Sequence, residues 1–141
     1  MFIYDFRHLS NLINEKLDQV IENKLRTRGF DGILSSHAQI MFYLLKKRKP
    51  VSIKELVKIS NRVKSTVTGI LKNLKKHDYI IRTQSPKDQR VTYISLTAKS
   101  WDFEAAMKEI SSEVEEKVIS KLSSENVSSF METLDLILTE I

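Results

Sequence analysis

The sequence predicts a mainly α-helical protein with one small β-hairpin, and three observations predict it. Apolar residues recur at three- and four-residue steps in six separate segments. Two short stretches rich in β-branched and aromatic residues flank Ser85-Pro86-Lys87-Asp88, a turn-forming tetrad. Stop signals such as Gly29 and Pro50 fall between the helical segments.

Taken in order, Phe6, Leu9, Ile13, Leu17 and Val20 mark a first helix over Asp5 to Arg28, with Gly29 as its stop. Ser36-His37-Ala38-Gln39 has the form of a capping box, in which serine accepts a backbone N–H and glutamine reaches back. It opens a second helix carrying Ile40, Phe42, Tyr43, Leu44 and Leu45. Lys46-Lys47-Arg48-Lys49 suits that helix's carbonyl end, and Pro50 closes it. A second capping box, Ser52-Ile53-Lys54-Glu55, begins a short helix with Ile53, Leu56 and Val57 inward. After a turn near Ser60-Asn61-Arg62, the next helix spans Val63 to Lys76, with Val67, Ile70, Leu71 and Leu74 on one face. Tyr79–Thr83 and Val91–Thr97 then form the hairpin. Phe103, Met107, Ile110, Val114 and Val118 stripe a fifth helix. Ser123 caps a sixth that carries Val127, Phe130, Met131, Leu134, Ile137, Leu138 and Ile141.

The charge pattern says more than the net charge of +5. Residues 46–99 hold 15 basic and 3 acidic side chains, a net of +12, while the rest hold 8 and 15, a net of −7. Solubility does not require that segregation, but a face meeting phosphates would produce it. Other chemistry is poorly served. With no cysteine, disulfides, thiolate metal sites and thiol redox sensing are excluded. His8, His37 and His77 lie far apart, without metal-ligand spacing, and read as surface or helix-end residues. No phosphate-cradling glycine loop and no nucleophile with a placed histidine is present, so no catalytic site, cofactor or metal is expected. Phe42, Tyr43, Tyr79 and Trp101 read as core. Apolar runs are too short to span a membrane, and the start lacks a signal peptide's pattern, which predicts a cytoplasmic protein.

A short helix, a tight turn, a second helix and a two-stranded wing describe a winged helix-turn-helix, whose second helix is shaped for a major groove. With Val67, Ile70, Leu71 and Leu74 inward, that helix turns Ser65, Gly69, Lys72 and Lys76 outward, flanked by Thr66, Thr68, Asn73 and Lys75. The outer side carries no acid. Ser65, Thr66 and Thr68 are candidates for base edges, because hydroxyls both donate and accept and the threonine methyl packs on thymine. Arg62, Lys64 and Lys72 are candidates for the phosphate backbone. In the wing, Lys87 and Arg90 face nucleic acid, Arg90 toward a narrow minor groove. Asp88 is expected to shape the loop by accepting from Arg90 or loop N–H groups. Gly69 leaves the backbone bare for close approach, or is merely tolerated there. Competing readings of the same fold are a protein-interaction module and a non-specific architectural or RNA-binding protein.

Ser52-Ile53-Lys54-Glu55-Leu56, Lys64-Ser65-Thr66-Val67-Thr68 and Leu74-Lys75-Lys76-His77-Asp78-Tyr79-Ile80 together resemble the MarR family of bacterial transcription regulators. Ser85-Pro86-Lys87-Asp88-Gln89-Arg90 and Ile94-Ser95-Leu96-Thr97 continue the likeness, Asp88-x-Arg90 followed by Leu96-Thr97 being its most specific part. The resemblance implies one subunit over 1–141, with a winged helix-turn-helix over 36–100 flanked by dimerisation helices over 1–30 and 101–141. It also implies a homodimer on pseudo-palindromic double-stranded DNA, often a repressor. Release by a small aromatic or phenolic effector, bound between the terminal helices and the winged region, belongs to the same implication. Three places depart from the family pattern. Val63 stands where a capping residue is common, Gly69 where a larger side chain is frequent, and His77-Asp78 where a small residue and glycine are usual.

Overall fold

The computed structural model describes residues 1–141. Its order is α1 (Phe2–Thr27), α2 (Ser35–Lys47), β1 (Val51–Ser52), α3 (Ile53–Ser60), α4 (Lys64–Lys76), β2 (Ile80–Gln84), β3 (Thr92–Leu96), α5 (Ser100–Ile119) and α6 (Ser124–Glu140). All six expected helices and the hairpin are present, and no helix is long and apolar enough to cross a membrane. The chain divides into two compact units, residues 1–106 and 107–141.

The first unit is built around α4. Val67, Ile70, Leu71 and Leu74 are at most 5% exposed and meet a core that includes Leu25, Ile40, Leu44, Leu56, Ile80 and Ile94. Trimming a leucine in such a site to alanine costs about 2–5 kcal/mol, so the α4 stripe is strongly held. Phe103 closes this core. It is fully buried and takes Phe30 edge-on at 5.8 Å, Tyr79 at 6.4 Å and Phe42 at 6.4 Å. Offset and edge-on rings bring each positive rim toward a negative face. Of the four aromatics expected in the core only Tyr79 is buried: Tyr43 is half-buried, and Phe42 is 43% and Trp101 51% exposed. The guanidinium of Arg48 covers the Trp101 ring at 4.9 Å and also bonds Glu104 at 2.8 Å.

The sheet has three strands, not two, in the order β1-β3-β2 and antiparallel throughout. The extra strand pairs Val51 with Ile94 and Ser52 with Tyr93. Two residues are too few to show a period of two, so the pattern that reveals the hairpin cannot reveal β1.

Local signals hold unevenly. Ser52 caps α3, its hydroxyl accepting the Glu55 N–H at 3.1 Å. The reciprocal half of that box is absent, because the Glu55 carboxylate instead accepts from the Tyr43 hydroxyl and lies 3.8 Å from Lys47 Nζ. The expected Ser36 box does not form either. α2 begins earlier, with Leu34 as N-cap, and His37 Nδ1 accepts the Leu34 N–H at 3.0 Å. Glu22 of α1 accepts the Ser35 N–H at 3.0 Å, so a neighbouring helix satisfies a first-turn N–H of α2. His37 is therefore a helix-start residue, but a buried one.

In the second unit, Ser123 caps α6 as expected, accepting the Asn126 N–H at 3.2 Å. No residue of α6 is buried; Val127, Leu134 and Ile137 are half-buried, and Phe130, Met131 and Leu138 are exposed.

Candidate nucleic-acid interface

The connection from α3 to α4 is tight because Asn61 adopts a left-handed backbone, φ +52°. Asparagine tolerates that conformation better than most residues, since its short amide bonds locally. The chain then extends through Val63, the N-cap of α4, whose side chain offers no acceptor. The first-turn N–H groups thus carry no side-chain cap, and the positive end of the helix is left uncovered.

With the apolar stripe fixed inward, Lys64, Ser65, Thr66, Thr68, Gly69, Lys72, Lys75 and Lys76 are all exposed. No acid interrupts them, so this side of α4 is one cationic, hydroxyl-bearing strip. Arg62 is exposed in the turn just before it. Asn73 departs from its expected place on the flank. It is half-buried, and its amide nitrogen donates to the Gly32 carbonyl at 3.2 Å.

The wing loop is held by its own polar atoms. Ser85 N–H donates to the Val91 carbonyl at 2.9 Å, and the buried Ser85 hydroxyl accepts from the N–H groups of Lys87 and Asp88, both at 3.3 Å. The Asp88 carboxylate accepts the Arg90 N–H at 3.0 Å, Nε at 3.1 Å and a terminal guanidinium nitrogen at 3.3 Å. The Arg90 side chain and then its backbone N–H hold the Asp88 carboxyl below the usual carboxylate range. Arg90 remains 91% exposed, so it is oriented without being covered. Lys87 is exposed beside it.

Between α3, the start of α4 and the wing lies a cleft of about 640 Å³. Lys64, Thr68 and Arg90 line it together, as do two cations not among the expected site residues, Lys54 of α3 and Arg82 of β2. No carboxylate lines it. Arg82 also lines a second recess of about 220 Å³ with Lys75, Thr83 and Gln84. Its place has a sequence signal: it follows the buried Ile80 by two residues, and residues two apart share a sheet face. Ser65, Thr66 and Lys72 stand outside the cleft on the open strip, and Arg62 and Lys87 also lie outside it.

The profile of the MarR family matches residues 41–92, a stretch running from within α2 to the first residue of β3. Over that stretch the chain is similar to the MarR family. Among curated relatives, the HTH-type transcriptional regulator SarZ of Staphylococcus aureus strain MRSA252 is 33% identical over 84 residues, covering 60% of this chain. The chain spans 57% of that relative's length. Among solved structures, S. aureus MepR in its DNA-binding conformation superposes with a TM-score of 0.78 at 25% identity, over 96% of this chain and 97% of MepR. The MepR–DNA complex has a TM-score of 0.84 at 23% identity, covering 96% and 98% of the two chains. A MarR mutant from E. coli complexed with operator DNA has a TM-score of 0.83 at 18% identity, covering 96% and 95%.

The three departures from the MarR pattern have structural answers. Val63 leaves α4 without a side-chain cap. At Gly69 an added Cβ would meet nothing within 4 Å, so packing within the subunit does not require the glycine. At the end of α4, Asp78 takes the left-handed position, φ +62°, that glycine reaches at lower cost. The Tyr79 N–H donates to the Leu74 carbonyl at 3.0 Å and the Asp78 N–H to that of Lys75 at 3.0 Å. The Thr97 hydroxyl donates to the Asp78 carbonyl at 2.5 Å, tying this turn to the residue after β3.

Proposed function

We propose that the chain is a dimeric, sequence-specific DNA-binding transcription regulator. The observation that carries this reading is the exposed, acid-free strip of α4 beside a wing whose arginine is held outward by Asp88. Lysines on such a strip neutralise phosphates and release counterions, while the hydroxyls near its N-terminal end reach base edges. Ser65, Thr66 and Thr68 read bases; Arg62, Lys64 and Lys72 take phosphates. Lys87 and Arg90 contact DNA from the wing, and Arg82 and Lys54 hold the backbone at the cleft between them. Asp88 keeps the wing in shape. The DNA-bound MepR and MarR structures, which share this fold, support the same use of it.

The regulator acts as a homodimer in the cytoplasm on a pseudo-palindromic operator. The apolar residues left exposed on α1 and α6 support the pairing, since a subunit rarely leaves so much apolar surface in water. Repression relieved by a small aromatic or phenolic effector completes the proposal, on the family resemblance alone. The relatives matched are regulators, not enzymes, and no catalytic role is assigned to any residue.

Selection of duplexes from a random-sequence library by the full chain tests the reading. The selected duplex should bind well above a shuffled one. Its affinity should fall by roughly 10³–10⁵ between about 50 and 200 mM salt, as for a protein making 6–10 phosphate contacts. Equal affinity for both duplexes, or binding indifferent to salt, would reject it. Arg90→Ala and Arg82→Ala should each weaken binding while leaving the dimer intact.

A further inference from the structure

Behind the exposed strip of α4 lies a small polar cluster. His37, in the first turn of α2, is 8% exposed. Its Nδ1 accepts the Leu34 N–H at 3.0 Å and lies 3.2 Å from the amide nitrogen of Asn73 on α4. That amide nitrogen has two hydrogens, one for His37 and one for the Gly32 carbonyl at 3.2 Å. The backbone carbonyl of Asn73 lies 2.9 Å from His77 Nδ1. Facing two N–H donors, His37 Nδ1 must carry no proton, so the ring hydrogen sits on Nε2.

We propose that His37 and Asn73 are a positioning pair that seats α4 against the α1–α2 connection, and that a proton on His37 unseats it. The inference rests on α4 being the DNA-contacting helix. Protonation places an N–H at Nδ1, opposite the Leu34 and Asn73 donors, and both must turn away. The nearby Gly32 carbonyl favours the protonated ring, and it is also the second partner of Asn73.

The charged groups around His37 come from several elements. Glu22 of α1 favours the proton, while His77 at the end of α4 and Arg62 in the α3–α4 turn oppose it. Asp18 of α1 accepts from the Ser35 hydroxyl. Burial outweighs these and holds His37 below its usual 6.5. A depressed histidine contributes its stability in full above the unfolded value and loses it as pH falls from there toward the folded one. The device is silent near neutrality and acts in acid.

Three measurements on the full chain test the pair. Ring ¹⁵N shifts at about pH 7.5 should show His37 as the Nε2–H tautomer. Between about pH 7.5 and 5.5, at constant ionic strength, affinity for the selected duplex should fall by up to about tenfold, the limit for a group titrating below its ordinary value. His37→Gln, whose amide oxygen is an acceptor at every pH, should flatten that slope, and Asn73→Ala should weaken binding already at neutral pH. An Nδ1–H tautomer, or a His37→Gln slope equal to the wild type's, overturns the pair. Should no duplex bind at any pH, the regulator reading fails. The tautomer, and the pH dependence of melting in wild type against His37→Gln, still decide the pair.

Discussion

At Gly69 the helix carries no side chain, and the space an added methyl would occupy is open. Glycine in a helix interior costs about 1 kcal/mol relative to alanine, so Gly69→Ala should raise the melting temperature of the free protein. If the bare backbone serves close approach to DNA, the same variant should bind the selected duplex less tightly. A rise in stability with unchanged affinity would mark Gly69 as merely tolerated. Asp88 presents the reverse case. Its carboxylate has three contacts with Arg90 on an exposed loop, so Asp88→Ala should change melting little yet weaken duplex binding by loosening the arginine. Because Asp88 titrates below its ordinary 3.8, its contribution is complete above that value and is lost only as pH falls further. The acidic loss of affinity attributed to His37 therefore begins well before the wing is touched. The partner of Asp88 was legible because an acid beside a lysine and an arginine in a short polar loop finds a cation within reach. The partners of Asn73 were not, since they come from Gly32 and His37, about forty residues away in the chain.

Among the elements, α4 shows how a helix can be well held and poorly started. Its four buried residues fix its orientation, but Val63 at its N-cap is 67% exposed and accepts nothing. Val63→Ser should stabilise the protein by about 1 kcal/mol, measured by denaturant unfolding. The α4 stripe was plain in the sequence because four apolar residues match one helical face. The start of α2 was not, because the serine template competes with acceptors from another helix. Glu22 takes the Ser35 N–H, and the helix begins where that tertiary contact allows. Arg82 was missed for a related reason: it reads as an ordinary strand residue until the position of Ile80 fixes which face it shares.

For the whole molecule, the segregated charge and the apolar stripes point the same way. Leu9, Ile13 and Leu17 of α1 and Phe130, Met131 and Leu138 of α6 are more than a third exposed in the single subunit. Sedimentation should therefore give a dimer, and Leu138→Glu or Ile13→Glu should shift it toward monomer, with loss of duplex affinity as the two half-site contacts uncouple. A monomer in the wild type would leave these stripes unexplained. The helix order and the cationic centre were visible in the sequence because both are properties of long segments. The third strand was not.

Ser52 belongs to that strand and to a helix at once: it pairs with Tyr93 in the sheet, and its hydroxyl caps α3. One residue is thus a hinge pin shared by the hairpin's base and the first turn of the helix-turn-helix. Opening either should open the other, so the Glu55 amide and the β1–β3 ladder amides should exchange with deuterium at a common rate.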